Sequence, residues 1–182
     1  MKYLSIITLG FLLLFSSPTY AQTQTLVNLT GIDTIFTPAS FYQLSRTAPI
    51  PATGGIAAVF NFYITGINES QYGVSELDSN GNTVASINLT GQYGGTSFGS
   101  GIYCRGGYVY VSGLTIHSGP YPSTFNVAKI ALSPTFDTVW TRSINIDSGI
   151  YEGGVSVVAD CGGSVYVSGT ALLPSYQMSL LS

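Results

Sequence analysis

Gly106-Gly107-Tyr108-Val109-Tyr110-Val111-Ser112-Gly113 returns 56 residues later as Gly162-Gly163-Ser164-Val165-Tyr166-Val167-Ser168-Gly169. In both copies a double glycine opens a run of β-branched and aromatic residues, and a small Ser-Gly pair closes it. Such runs suit a pleated, half-buried surface and mark a strand bounded by turns. A weaker copy is Phe62-Tyr63-Ile64-Thr65-Gly66.

Other elements recur around this one in the same order. Tyr72-x-Val74-x-x-Leu77 is followed by Phe125-x-Val127-x-x-Ile130 and Tyr176-x-Met178-x-x-Leu181. Thr83 to Ile87 matches Thr138 to Arg142. Tyr93-Gly94-Gly95 leads into Ser97 to Cys104 as Glu152-Gly153-Gly154 leads into Val155 to Cys161, and Gly54-Gly55 to Phe60 is a shorter early copy. One matching tetrapeptide would mean little, but an ordered set at displacements of 47 to 59 residues is an internal repeat. Each unit holds four candidate strands. The third and fourth form a hairpin, and Asn80-Gly81 is suited to a type I′ turn. A unit of about 50 residues with four antiparallel strands is the pattern of a β-propeller blade. The expected fold is therefore all-β, built of four-stranded antiparallel blades of a β-propeller. Two and a half to three blades are present, whereas closed rings use about 4–8. The repeat breaks off inside a hairpin, so the expectation is a truncated last blade; a small open meander is the other reading.

The motif Gly-Gly-x-Val-Tyr-Val-Ser-Gly, with the Leu77-Asp78-Ser79-Asn80-Gly81-Asn82 turn and the Val139-Trp140 strand, resembles bacterial secreted β-propeller repeat proteins. The resemblance covers about residues 54–182. It implies an exported repeat protein and is nearly silent on ligand. Ala85 stands where the later copy has Trp140, a departure from the pattern.

The beginning of the chain agrees with export. Met1-Lys2-Tyr3 is a short basic start, Leu4 to Phe15 is mostly apolar, and Thr19-Tyr20-Ala21 ends on a small residue. This is the layout of a cleaved signal peptide. Its apolar run of about 12 residues is short of the ~20 needed to span a bilayer. The expected organisation is a signal peptide at 1–21, lead-in strands at 22–52 and repeats at 53–182, with a secreted or cell-surface address. Without Lys2, the cations are Arg46, Arg105, Lys129 and Arg142, scattered among eight acidic residues. No basic patch exists to neutralise phosphates, which argues against nucleic acid. Only 7 % of residues are charged, while 45 % are hydrophobic and 13 % aromatic, which excludes a disordered chain.

Four-strand connectivity sorts the loops. Segments 67–71, 90–96, 114–124, 146–154 and 170–175 fall on one face, and the tight turns on the other. The first face gathers the single histidine, His117, with Tyr121, Tyr93, Tyr151, Glu152 and Glu69. Aromatic rings stack on sugars or peptides and a carboxylate fixes orientation, so these six are the candidate ligand site. The plainer reading is that the rings pack loop bases and the acids solvate a rim. A paired-carboxylate glycosidase site is conceivable from Glu69 and Glu152, and neither sits in a motif. There is no Gly-x-Ser-x-Gly, so no catalytic residue is assigned. Asp78-x-Asn80-x-Asn82 begins like a calcium loop but has Thr83 at the sixth position and Leu89 at the twelfth, so no metal or cofactor is expected. Cys104 and Cys161 are candidates for a disulfide, or for two free thiols. The leading functional expectation is a non-catalytic binding module for a protein or glycan. A structural or assembly module using an open edge strand is the alternative, and a glycan-active hydrolase comes third.

Overall fold

The computed structural model describes residues 41–64, 69–89, 95–117, 123–144, 151–172 and 178–181. The expected signal peptide lies outside them. The described residues form strands and turns, with no helix. Strands β1 (Phe41–Ile50), β2 (Gly55–Ile64), β3 (Glu69–Leu77) and β4 (Thr83–Leu89) make the first sheet. Strands β5 (Thr96–Arg105), β6 (Tyr108–Ile116), β7 (Thr124–Ala131) and β8 (Thr138–Ile144) make the second. Strands β9 (Tyr151–Ala159), β10 (Val165–Leu172) and β11 (Met178–Leu181) make the third. Every pairing is antiparallel between neighbours in sequence.

The first sheet differs from the sequence expectation. Gly55–Ile64 is one strand, not two, and β1 falls in the stretch expected to be a lead-in. Gly54-Gly55 belongs to the β1–β2 turn, where the Thr53 and Gly54 amides donate to the Ile50 carbonyl. Gly54 takes φ +70° there, as Gly107 and Gly163 take +81° and +89° in the matching turns. Asn61 lies between the two apolar runs of this strand. Its amide bonds across to the next sheet, accepting from the Gly99 N–H at 2.8 Å and donating to the Gly99 carbonyl at 3.4 Å.

The sheets share their irregularities. The register of the first strand against the second slips at Ser45, at Ser100 and at Val155, 55 residues apart each time. The outer strands slip at Val84 and Val139. Each slip is a β-bulge, which bends its strand and increases the local twist. In the third sheet Leu180 faces Thr170 as Phe125 faces Leu114 in the second. The Tyr176-x-Met178 spacing is therefore not the register the third sheet uses.

The sheets stack face to face, with β5 lying across β1, β2 and β3, and β9 across β5, β6 and β7. Two apolar cores result. Ala57, Val59, Tyr72 and Val74 of the first sheet meet Val109, Val111, Ala128 and Ile130 of the second. Tyr110, Phe125 and Val127 of the second meet Val157 and Ala159 of the third. The middle sheet is thus covered on both faces, which is why Tyr108 to Val111 is continuously apolar rather than alternating with polar residues. The tyrosines turn toward the third sheet and the valines toward the first.

Stacking leaves one hydroxyl stranded. Ser112 faces Gly101 just past the second bulge, where Val59 faces Arg46 past the first. Ser112 is fully buried and its Oγ has no protein partner among the described residues. An unmet buried hydroxyl costs about 1–3 kcal/mol, so Ser112→Ala is expected to hold stability level or raise it by about 1 kcal/mol. Ser97→Ala, which removes a paired hydroxyl, is expected to lower it by a similar amount. Urea midpoints of the two variants check this; equal losses would count against it.

Two turns share one design. Asp78 N–H donates to the Asn82 carbonyl and Gly81 N–H to the Asp78 carbonyl; Asp160, Ser164 and Gly163 repeat the pattern. Each aspartate also accepts amides of its own turn: Asn80 and Asn82 on Asp78, Ser164 on Asp160, all at 2.8 Å. Of Asn80 and Gly81, only Gly81 has positive φ, so the expected type I′ turn is replaced by a longer loop ending in a left-handed glycine. The Asn82 side chain lowers the Asp78 carboxyl most, and the Ser164 amide does so for Asp160. Both folded values lie below the unfolded one. Their stabilisation is therefore complete above the ordinary carboxylate range and disappears as pH falls through the lowered values. The stability gap between the wild type and Asp160→Ala is expected to shrink between about pH 6 and pH 2. A gap independent of pH would refute it.

Candidate functional site

Connectivity puts the tight turns at one end of the sheets and the connections 65–68, 90–95, 117–123, 145–150 and 173–177 at the other. The strands reach further toward that end than expected. Glu69 opens β3 opposite Ile64 and is half-buried. Tyr151 and Glu152, expected in a loop, lie within β9 opposite Leu172 and Ala171; their side chains lie outside the described residues. Tyr93 and Tyr121 lie outside the described residues altogether. His117 follows β6 directly, is half-buried, and shares a hydrogen bond of 3.1 Å from Nε2 to the Thr124 hydroxyl. That bond joins the two ends of the β6–β7 connection.

Beneath His117 runs a set of polar side chains that spacing did not announce. Ser97 and Thr115 hydroxyls share a 2.8 Å bond, Asn126 Nδ2 donates to Thr115 Oγ1, and the Ser143 hydroxyl donates to Asn126 Oδ1. The set crosses β5, β6, β7 and β8 on the side facing the first sheet. Ser97, Thr115 and Asn126 are 1 %, 0 % and 7 % exposed, so these bonds form away from water, where a broken one is costly. The sequence signal was weak: small polar residues at core-facing positions of four strands. Gly95 closes the base. It takes φ +113°, and a Cβ there would sit 2.4 Å from the Ile116 carbonyl oxygen and 3.2 Å from the His117 Cα. The chain entering β5 therefore passes directly against the start of the β6–β7 connection.

The tyrosine-rich repeat mostly supplies core. Tyr110 is buried between the second and third sheets. The Lys129 ammonium stands 3.7 Å from the Tyr108 ring centre and 5.7 Å from that of Tyr110, a cation on aromatic faces. Tyr166 is the exception at 55 % exposed.

Cys104 and Cys161 are both free thiols. They looked equivalent in sequence, but the register separates them. Cys104 faces Val109 within β5, and the matching place opposite Val165 in the third sheet is Ala159. Cys161 lies two residues further on, exposed in the β9–β10 turn. Burial pushes the Cys104 thiol up to about 12, with the Glu76 charge adding to it. Glu76 is itself buried, and its Oε2 accepts the Ser133 amide from the β7–β8 turn at 3.0 Å. Only thiolates react readily with disulfide reagents. Under reducing-agent-free, native conditions Cys161 is expected to react quickly and Cys104 only after denaturant is added. Equal rates for both would contradict this.

The Asp78 carboxylate is occupied by its own turn, including a 2.9 Å bond from Asn82 Nδ2. Among the described residues no group of three or more His, Cys, Asp or Glu side chains converges as a metal site, and no helix is long and apolar enough to cross a membrane. No protein-family model and no curated protein matches the chain.

Proposed function

We propose that the chain is an exported, non-catalytic binding module of the β-propeller type, presenting the connections at one end of its sheets to a protein or glycan. The observation that carries this reading is the hydrogen-bonded base under the β6–β7 connection. Ser97, Thr115, Asn126 and Ser143 link four strands, and His117–Thr124 ties the connection's ends. A stiff platform under a long connection is the usual division of labour between scaffold and recognition loop. Stacked four-stranded sheets with recurring bulges support the propeller-type arrangement, and the signal-like leader supports export.

The edge-strand alternative is less favoured. The outer strands β4 and β8 carry bulges at Val84 and Val139, and bulges at an edge hinder strand addition. The test is a glycan array and a displayed peptide library, probed with the wild type and with His117→Ala combined with Tyr121→Ala. The expected result is a ligand held by the wild type and lost by the double variant. Binding indifferent to these positions, or none to either library, overturns the proposal.

A further inference from the structure

We propose that Asn80 is a site of spontaneous covalent modification, converting to aspartyl and isoaspartyl forms, and that the hold of Asp78 on the β3–β4 turn sets its rate. The reaction is an attack by the Gly81 backbone nitrogen on the Asn80 side-chain carbonyl carbon. A C–N bond forms. The Asn80 amide nitrogen leaves as ammonia, carrying the proton lost by Gly81, and a five-membered succinimide remains. Water then adds to either carbonyl of the ring. Opening at one leaves the ordinary backbone with a carboxylate at position 80. Opening at the other routes the backbone through the side chain and makes it one methylene longer.

Sequence and turn together select Asn80. It is the chain's only asparagine followed by glycine, which puts no side chain in the way of the closing ring. It is exposed, and its side-chain amide has no hydrogen-bond partner among the described residues. The other described asparagines are less suited. Asn61 spends its amide on Gly99, and Asn126 on Thr115 and Ser143. Asn82 donates to Asp78 at 2.9 Å and precedes the β-branched Thr83. Asn88 is exposed but precedes Leu89, whose branched side chain crowds the ring. The matching turn of the third sheet has Gly162 where the first has Asn80, so it offers no such group.

The closed turn withholds the nucleophile. Gly81 is buried, and its N–H donates to the Asp78 carbonyl at 3.0 Å. That bond must break, and the nitrogen must lose its proton, before attack. The Asp78 carboxylate keeps the turn closed: Oδ1 accepts the Asn80 and Asn82 amides, and Oδ2 accepts Asn82 Nδ2. Conversion undoes this arrangement. A carboxylate at position 80 stands two residues from that of Asp78, and the two repel. The lengthened backbone of the isoaspartyl form no longer matches the spacing of the turn's hydrogen bonds. Loss of ammonia makes the change one-way, and it loosens the β3–β4 hairpin.

Incubation of the full chain in warm, mildly alkaline buffer tests this, with mass-spectrometric peptide mapping and chromatographic separation of the two products. Conversion is expected at Asn80, in both forms, ahead of Asn82 and Asn88. Asp78→Ala is expected to speed it by roughly threefold or more, because charge-assisted hydrogen bonds hold the closed turn. Conversion at Asn82 or Asn88 as fast as at Asn80, or no conversion at Asn80, overturns the proposal. So does a rate in Asp78→Ala no higher than in the wild type. Should Asp78→Ala lose its strand spectrum, Asn82→Ala replaces it, since that variant removes only the bond to Asp78 Oδ2. Asn80 is then still expected to convert faster than in the wild type, and an unchanged or slower rate overturns the proposal.

Discussion

Gly113→Val is expected to cost more than about 3 kcal/mol of the chain's stability. Gly99 and Gly113 face each other across β5 and β6, and together they form a flat place in the second sheet. The Tyr72 ring of the first sheet lies on it. A Cβ at Gly113 would fall 2.6 Å from the Phe98 carbonyl oxygen and 2.9 Å from Tyr72 Cζ; one at Gly99 would fall 2.3 Å from Val59 Cγ1 and 2.8 Å from the Tyr72 ring. The carbonyl belongs to the neighbouring strand and cannot swing aside, and Val59 is itself fully buried. Overpacking a dense core by one or two carbons costs about 1–3 kcal/mol. Valine adds three carbons against backbone, so a loss above that range is expected, from a total of about 5–15 kcal/mol. Gly106→Ala is the control. Gly106 has a positive φ of +58°, unlike Gly113, but nothing lies within 4 Å of a Cβ there, so only the backbone cost of about 1–2 kcal/mol applies. Urea unfolding followed by intrinsic fluorescence separates the two. Similar midpoints for the two variants would show that the close approach between the sheets is not as described.

Tyr72→Ala is expected to be the second large loss, about 3–5 kcal/mol, the range for emptying a buried aromatic site. Tyr72 is 2 % exposed and belongs to the first core. Tyr72→Phe keeps the ring on the glycine pair and is expected to cost no more than about 1 kcal/mol. The two positions are coupled. With Tyr72 cut to alanine, space opens above Gly113, so Gly113→Ala is expected to cost less than in the wild type by about 0.5–3 kcal/mol. Additive losses would refute the knob-on-glycine contact. Alkaline pH gives a second measurement. Burial raises the Tyr72 phenol above its ordinary value. The stability this carries is complete below the unfolded phenol value of about 10 and falls as pH rises toward the raised folded one. Tyr72→Phe is therefore expected to resist alkaline unfolding better than the wild type.

The same glycine pairing recurs in the third sheet, where Gly154 faces Gly169. In sequence, Gly153-Gly154 had been matched with Gly94-Gly95. The structure gives those glycines different tasks: Gly95 passes the Ile116 carbonyl at a left-handed φ, while Gly154 sits beside a bulge. Composition and spacing show that glycines punctuate the units. They do not show which neighbour forbids a side chain.

What the sequence determined by itself was local. Alternation and β-branched content placed the cores of the strands, and Asn-Gly and Gly-Gly placed their turns, because a pleated strand and a left-handed turn residue are selected within a few positions of the chain. The all-β, four-stranded antiparallel arrangement followed from that. Tertiary structure decided what depends on strand register and on contacts between sheets. Asn61 stays inside β2 because its amide is spent on Gly99. β1 joins the first sheet through its pairing with β2, and Cys104 and Cys161 part company through the register. Around His117 the sequence located the residue and its end of the sheets, but the buried hydroxyls beneath it became a connected set only when four strands aligned. Hydrogen bonds and close approaches between sheets are fixed by three-dimensional register, which no single stretch of this chain encodes.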